Sequence, residues 1–158
     1  MADSPFTIRP FAFDDCGHAL DLANSLGLSP WTLNDYREEL LRDDSQMLAA
    51  ANQQELAGFI IGRLVPTSAA TGVDAEIYNI GVCRSFQRSG IGSRLLGEFI
   101  DLCRTKHVYA VWLEVRALNC GAVRFYKIHG FEEFTVRPCF YRDPADDAIV
   151  MRLTLKRQ

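Results

Sequence analysis

A chain of 158 residues with 48% hydrophobic and 23% charged side chains can bury a substantial core and reads as one soluble domain, residues 1–158. Its net charge of −3 leaves no basic surplus, which argues against direct nucleic-acid binding. No apolar run reaches the length of a membrane helix, and residues 1–10 lack a basic start and an apolar signal core. The expectation is a cytoplasmic protein with no membrane partner.

In chain order, Phe6 to Arg9 reads as a first strand. Asp14 or Asp15 caps a helix that runs to about Ser25 and stops at Gly27. Thr32 followed by Asp35 marks a second helix start, with Trp31 before the cap placed to pack back as a staple. Tyr36, Leu40 and Leu41 form the inner face of that helix, which ends near Asp43. The period then changes: Gln46 to Ala51 and Leu56 to Val65 read as a hairpin, and Pro66 to Val73 as a loop of small residues. A strand ending at Val82 precedes a helix from Gly90 to about Lys106, whose Ile91, Leu95, Leu96, Phe99, Ile100 and Cys103 share one face. A strand from Ala110 to Val115, a helix from Asn119 to His129, and strands at Phe131 to Val136 and Ala148 to Leu155 follow, the last two separated by a polar turn at Arg142 to Asp147. The order β-α-α-β-β-β-α-β-α-β-β predicts an α/β domain with a mixed central sheet flanked by helices.

The five cysteines (Cys16, Cys83, Cys103, Cys120 and Cys139) are odd in number and form no Cys-x-x-Cys pair. This predicts neither a disulfide framework nor a metal site, but free buried thiols in a reducing compartment.

Gln87-Arg88-Ser89-Gly90-Ile91-Gly92 lies between a strand and an amphipathic helix. Free N–H groups at a helix start, the helix dipole and close backbone approach at glycine make an anion site there. A P-loop requires Gly-Lys-Ser/Thr, whereas Gly92 is followed by Ser93-Arg94. A dinucleotide fingerprint requires a small residue where Leu95 stands, and the acid some 20 residues on, Glu114, sits inside its strand rather than at the tip.

The remaining match is Gln/Arg-x-x-Gly-x-Gly/Ala, filled by Gln87, Gly90 and Gly92, which resembles the pyrophosphate loop of the GNAT acetyltransferases. Trp112-Leu113-Glu114-Val115-Arg116, Asn119, Tyr126 and Gly130-Phe131 are similar to the bacterial ribosomal-protein-alanine N-acetyltransferases (RimI type). The likeness runs from about Ala75 to Phe131, continues more loosely to Met151, and includes Pro30-Trp31-Thr32 upstream. It departs where that family carries Arg-Arg-Asn-Tyr-Tyr and this chain has Arg137-Pro138-Cys139-Phe140-Tyr141.

The resemblance implies acetyl transfer from acetyl-CoA to a protein N-terminal α-amine, with alanine of a small-subunit ribosomal protein as the expected acceptor. It implies Glu114 as base, whose pKa a desolvated site would raise toward the useful range, and Tyr126 as acid to the leaving thiolate. Ile80, Gly81 and Val82 would hold the pantetheine by backbone bonds, the Val82 amide also polarising the thioester carbonyl. Arg88, Ser89, Gly90, Ile91, Gly92 and Ser93, with Gln87, would cradle the pyrophosphate, and Asn119 would both cap its helix and touch the cofactor arm. Trp31, Arg137 and Tyr141 would line the acceptor side. A GNAT enzyme for a small amine or antibiotic, and a non-catalytic acyl-CoA-binding regulator, are the alternatives.

Overall fold

The computed structural model describes residues 5–28, 30–69 and 72–155. Its elements are β1 (Thr7–Pro10), α1 (Asp15–Leu26), α2 (Leu33–Leu40), β2 (Ser45–Ala51), β3 (Leu56–Pro66), β4 (Val73–Val82), a 3-10 turn (Arg84–Phe86), α3 (Ile91–Thr105), β5 (Ala110–Arg116), α4 (Cys120–Ile128), β6 (Glu132–Arg142) and β7 (Ala145–Thr154). The element order is the expected one. Seven strands form one mixed sheet in the order β1-β2-β3-β4-β5-β7-β6, with β4 and β5 parallel and the β1–β2, β2–β3, β5–β7 and β6–β7 pairs antiparallel. The chain forms two compact units: Met1–Arg63 with Tyr78–Leu102, and Leu64–Ile77 with Cys103–Gln158.

In the first unit, local sequence signals set the helix ends. Thr32 accepts from the Asp35 N–H at 3.2 Å, and the Asp35 carboxylate accepts from the Thr32 N–H at 2.6 Å, a complete capping box. Trp31 packs edge-on against Tyr36 with centroids 5.2 Å apart, the staple that the sequence predicts. At α1, Asp14 occupies the cap position without a side-chain bond. Asp15 instead takes the Ala12 N–H at 2.7 Å and a two-pronged contact from Arg9 at 2.6 and 2.9 Å, tying β1 to the helix start.

The second helix departs from its expected face. Leu41 is 83% exposed, and Glu39 is 2% exposed. The helix ends at Leu40, two or three residues early, so Leu41 turns outward as its C-cap. Glu39 can lie inside because Arg63 of β3 meets it with Nε on Oε1 at 2.8 Å and Nη2 on Oε2. A buried carboxylate is tolerated only with such a partner.

The apolar stripe of α3 is as expected: Ile91, Leu95, Leu96, Phe99, Ile100 and Cys103 are all buried. Each large side chain removed from water in this way stabilises by about 1.5–3 kcal/mol before the entropy cost of ordering. On β3, Gly58 is required by its neighbour, because a Cβ there would lie 2.7 Å from the Gly81 carbonyl oxygen of β4.

The second unit is built on β5. Val111, Leu113 and Val115 are buried, while Trp112, Glu114 and Arg116 are half-buried, as strand alternation predicts. The closing hairpin is longer than expected. β6 runs to Arg142 and β7 starts at Ala145, so the turn shrinks from Arg142–Asp147 to Asp143-Pro144. Polar residues there are edge positions whose backbone still pairs, Tyr141 with Asp146 and Arg142 with Ala145. The cysteines are free, but only Cys16 and Cys103 are buried; Cys83 is half-buried and Cys120 and Cys139 are exposed. Cys120 opens α4 on its outer side, and Cys139 lies on the sheet-edge strand β6, so neither is covered. No helix among the described residues is long and apolar enough to cross a membrane.

The Asp15 carboxyl loses water by burial, but its bonds from Arg9 and the Ala12 amide outweigh that and hold it below its ordinary range. A folded-state value below the unfolded one of about 3.9 contributes stability above that pH, lost as pH falls through the folded value. Asp15→Asn is therefore expected to lower unfolding free energy at pH 7, with the gap to wild type closing below about pH 4 in urea titrations. A gap independent of pH would contradict the ion-pair assignment.

Candidate active site

In the first unit the candidate cofactor residues form a strand end, a turn and a helix start. β4 departs from strict alternation there. Phe59 and Arg63 share a face of β3. The Arg63 guanidinium lies 4.8 Å from the Tyr78 ring centre, and a Cβ on Gly81 would lie 3.5 Å from Phe59. Tyr78 and Gly81, three residues apart, thus face the same way, so the two-residue period breaks between them. At that break the Asn79 side chain is 5% exposed, and its amide nitrogen has no hydrogen-bond partner among the described residues. A buried donor left unpaired costs about 1–3 kcal/mol, and one beside a binding strand can be satisfied by ligand or water. Sequence reading passed over Asn79, since nothing local marks it.

Past Val82 the turn is held by its own polar groups. Gln87 donates from Nε2 to the Val82 carbonyl at 3.0 Å, and Ser89 donates to the Phe86 carbonyl. Phe86 packs on Phe6 with centroids 4.7 Å apart, and Arg94 donates to the Phe6 carbonyl at 3.0 Å. Gln87 and Ser89 thus shape the loop with their side chains, and the Gln87 N–H is itself spent on the Arg84 carbonyl at 3.3 Å. Arg88 and Gly90 both have left-handed backbone, φ 61° and 86°, which bends the chain sharply into the helix start. The helix starts one residue later than expected, at Ile91, and no acid lies in its first turn to neutralise the dipole. Ile91 is 1% exposed, so only its N–H is available to an anion, not its side chain. Arg88, Ser89, Gly90 and Ser93 are exposed.

In the second unit, Glu114 projects from the polar row of β5. Arg137 of β6 donates to its Oε1 at 2.6 Å, with the two side chains 25% and 53% exposed. Glu114 is therefore ion-paired and only partly withdrawn from water, because β6 runs far enough to bring Arg137 over it. Next along the row, Arg116 lies 4.0 Å from the Tyr141 ring centre and donates to the Pro144 carbonyl at 2.8 Å. Arg137 also lies 4.6 Å from the Phe140 ring centre. Arg137, Tyr141 and Glu114 are thus brought together within this unit. Trp31 belongs to the first unit, where it packs on Tyr36.

Helix α4 supplies the other two residues. Asn119 accepts from the Ala122 N–H at 3.1 Å, the expected cap, which leaves its side-chain amide hydrogens for a ligand. Tyr126 is 7% exposed and packed against Phe125 and Phe131, with centroids 5.3 and 5.6 Å away. Burial pushes its phenol well above the ordinary value, so it stays protonated across the neutral range. His129 closes the helix with Nδ1 2.8 Å from the Phe125 carbonyl, a structural end group.

The acetyltransferase (GNAT) family model matches residues 15–131, spanning both the loop and α4. The chain belongs to that family. GNAT acetyltransferases use acetyl-CoA, and among the described residues no cluster of three or more His, Cys, Asp or Glu could hold a metal. The chain is 33% identical to the N-alpha-acetyltransferase RimI of Mycobacterium tuberculosis over 154 residues, 94% of this chain and 92% of that one. It is 42% identical to the ribosomal protein bS18-alanine N-acetyltransferase of Salmonella typhimurium over 84 residues, a match that covers 52% of this chain and only 57% of that enzyme's length. Among solved structures, the ribosomal-protein-S18-alanine N-acetyltransferase of Escherichia coli superposes with a TM-score of 0.83 at 29% identity, over 96% of this chain and 94% of that one. Arabidopsis thaliana NAA60 in complex with acetyl-CoA shares the fold, with a TM-score of 0.86 at 20% identity over 95% of this chain and 98% of that one.

The departure at Cys139 has a structural reading. Its φ is 52°, in the left-handed region, and its N–H is held by the Asp147 carboxylate at 2.8 Å. An ordinary side chain pays about 1–2 kcal/mol in that conformation, and asparagine, the residue of the resembled pattern, tolerates it better. Cys139→Asn is expected to raise unfolding free energy by roughly 0.5–1 kcal/mol in denaturant titration. An unchanged or lowered value would contradict the strain.

Proposed function

We propose that this protein transfers acetyl from acetyl-CoA to the α-amine of a protein N-terminus, with alanine at the start of a small-subunit ribosomal protein as its acceptor. The observation that carries the reading is the pairing of Glu114 with Arg137 on the row that also holds Arg116 and Tyr141, in a chain of this family. An α-amine has a pKa of about 7.7–8.0 against about 10.4 for lysine, so freeing lysine at pH 7 costs roughly 3.5 kcal/mol more. A single carboxylate, directly or through one water, is base enough for the former.

In this reading the backbone of Ile80, Gly81 and Val82 holds the pantetheine, and the Val82 amide polarises the thioester carbonyl. The N–H groups from Arg88 to Ser93 take the pyrophosphate, with Gln87 fixing their turn, and Asn119 adds a side-chain contact. The amine nitrogen attacks the thioester carbon, the C–N bond forms and the C–S bond breaks. Glu114 takes the amine proton, and Tyr126 gives its proton to the departing sulfur. Trp31, Arg137 and Tyr141 contact the acceptor. No covalent enzyme intermediate is required.

Tyr126→Phe keeps the ring and its packing, so turnover is expected to fall about a hundredfold with acetyl-CoA affinity unchanged by calorimetry. Equal turnover would remove Tyr126 from the acid role. Glu114→Gln is expected to lower kcat about a hundredfold with acetyl-CoA affinity unchanged by calorimetry. Equal turnover would assign deprotonation to solvent. A basic peptide starting with alanine should be acetylated in preference to polyamines and aminoglycosides; turnover of small amines alone would favour the alternative acceptor class. Tight acetyl-CoA binding with no CoA release on any amine would favour a regulator.

A further inference from the structure

The geometry points to Arg116 as the positioning residue of the acceptor lip, which holds Tyr141 and the β6–β7 turn in place beside Glu114; this rests on the acceptor role proposed for Tyr141. Three observations within the second unit carry it. Arg116 stacks at 4.0 Å from the Tyr141 ring centre, close for a guanidinium over an aromatic face. Its two terminal nitrogens reach the backbone of the turn, Nη1 to the Pro144 carbonyl at 2.8 Å and Nη2 to the Asp143 carbonyl at 3.4 Å. Its own place is fixed by β5, where it pairs with Ala148 of β7 two residues beyond Glu114, on the same face.

The turn is strapped at further points that leave Arg116 as the side-chain tie to its tip. The Asp146 carboxylate accepts from the Leu118 N–H at 3.1 Å, Ala117 donates to the Asp147 carbonyl at 2.9 Å, and the Asp147 carboxylate holds the Cys139 N–H. These bonds fix the base of the hairpin. The flat, forked guanidinium stacks on the ring and bonds two carbonyls at once; an ammonium keeps the charge but lacks the planar fork that makes the stack and both bonds together. Tyr141 is half-buried under this clamp, and burial raises its phenol above the ordinary value, with the nearby Glu114 charge adding to the rise and Arg116 opposing it. It therefore meets an acceptor as a neutral hydrogen-bonding group. Cys139 and Phe140 stand where the resembled pattern carries an asparagine and a tyrosine, so those polar groups are not there to order the lip beside Arg116.

The test is Arg116→Lys, with Tyr141→Ala and the double variant, on the full chain. With an alanine-starting peptide, Arg116→Lys should raise the peptide KM about tenfold while the acetyl-CoA KM and saturated kcat stay within about twofold, the signature of lost acceptor binding alone. The double variant should be no worse than Tyr141→Ala, because Arg116 acts through the tyrosine. Amide hydrogen exchange of residues 139–146 should quicken in Arg116→Lys while that of 91–105 does not change, a readout independent of turnover. An unchanged peptide KM, a matching rise in the acetyl-CoA KM, or additive losses in the double variant would overturn the assignment. If the wild type acetylates only small amines while exchange at 139–146 still responds, the peptide-acceptor reading fails and the positioning role for peptides falls with it; unaltered exchange overturns the clamp itself.

Discussion

Burial of one face of β5 is the constraint on which the chemistry of the second unit depends. Val111, Leu113 and Val115 must leave water, and a strand has only two faces. Glu114 and Arg116 are thereby forced onto the other, beside β7 and within reach of β6. A one-residue slip would bury both charges and expose the three apolar side chains, a cost of several kcal/mol in transfer energy alone. The ladder with β7, unbroken from Ala110↔Thr154 to Arg116↔Ala148, locks that register. The ion pair to Arg137 and the stack on Tyr141 are consequences of it, not its cause.

In the first unit the turn after Val82 is held largely by its own polar groups. Side chains that look like ligands, Gln87 and Ser89, are bound to the turn's own carbonyls. Ile91 is turned into the core, and Arg88 and Gly90 take left-handed backbone that turns the chain into the helix. The helix start carries no acid, so its positive end is left for an anion. In such a loop the side chains supply shape and the main chain supplies binding.

Much of this was legible in the sequence where the signal is local. The capping box at Thr32 and Asp35, the Trp31 staple on Tyr36, the stripe of α3 and the Asn119 cap each join residues no more than five positions from the next, and their chemistry is independent of distant partners. The Gly-x-Gly turn and the β5 alternation were legible for the same reason. What the sequence concealed depends on tertiary partners. Glu39 reads as a surface acid until Arg63, 24 residues away, is placed against it. The extent of β6 was hidden because polar edge residues look like turn residues until β7 pairs with them. That extension carries Arg137 to Glu114 and Tyr141 to Arg116, so the same blind spot concealed both the ion pairing of Glu114 and the role of Arg116. Cys139 and Asn79 were opaque for a further reason, since backbone conformation and an unpaired buried amide leave no periodic trace.

Mass spectrometry of N-terminal peptides from cells with and without this protein tests the proposed transfer to a protein α-amine most directly. The expected result is that α-acetylation of one or a few alanine-starting proteins, a small-subunit ribosomal protein among them, disappears when the protein is removed and returns with the wild type but not with Tyr126→Phe. An unchanged set of acetylated N-termini, with losses confined to lysine side chains or small amines, would contradict it.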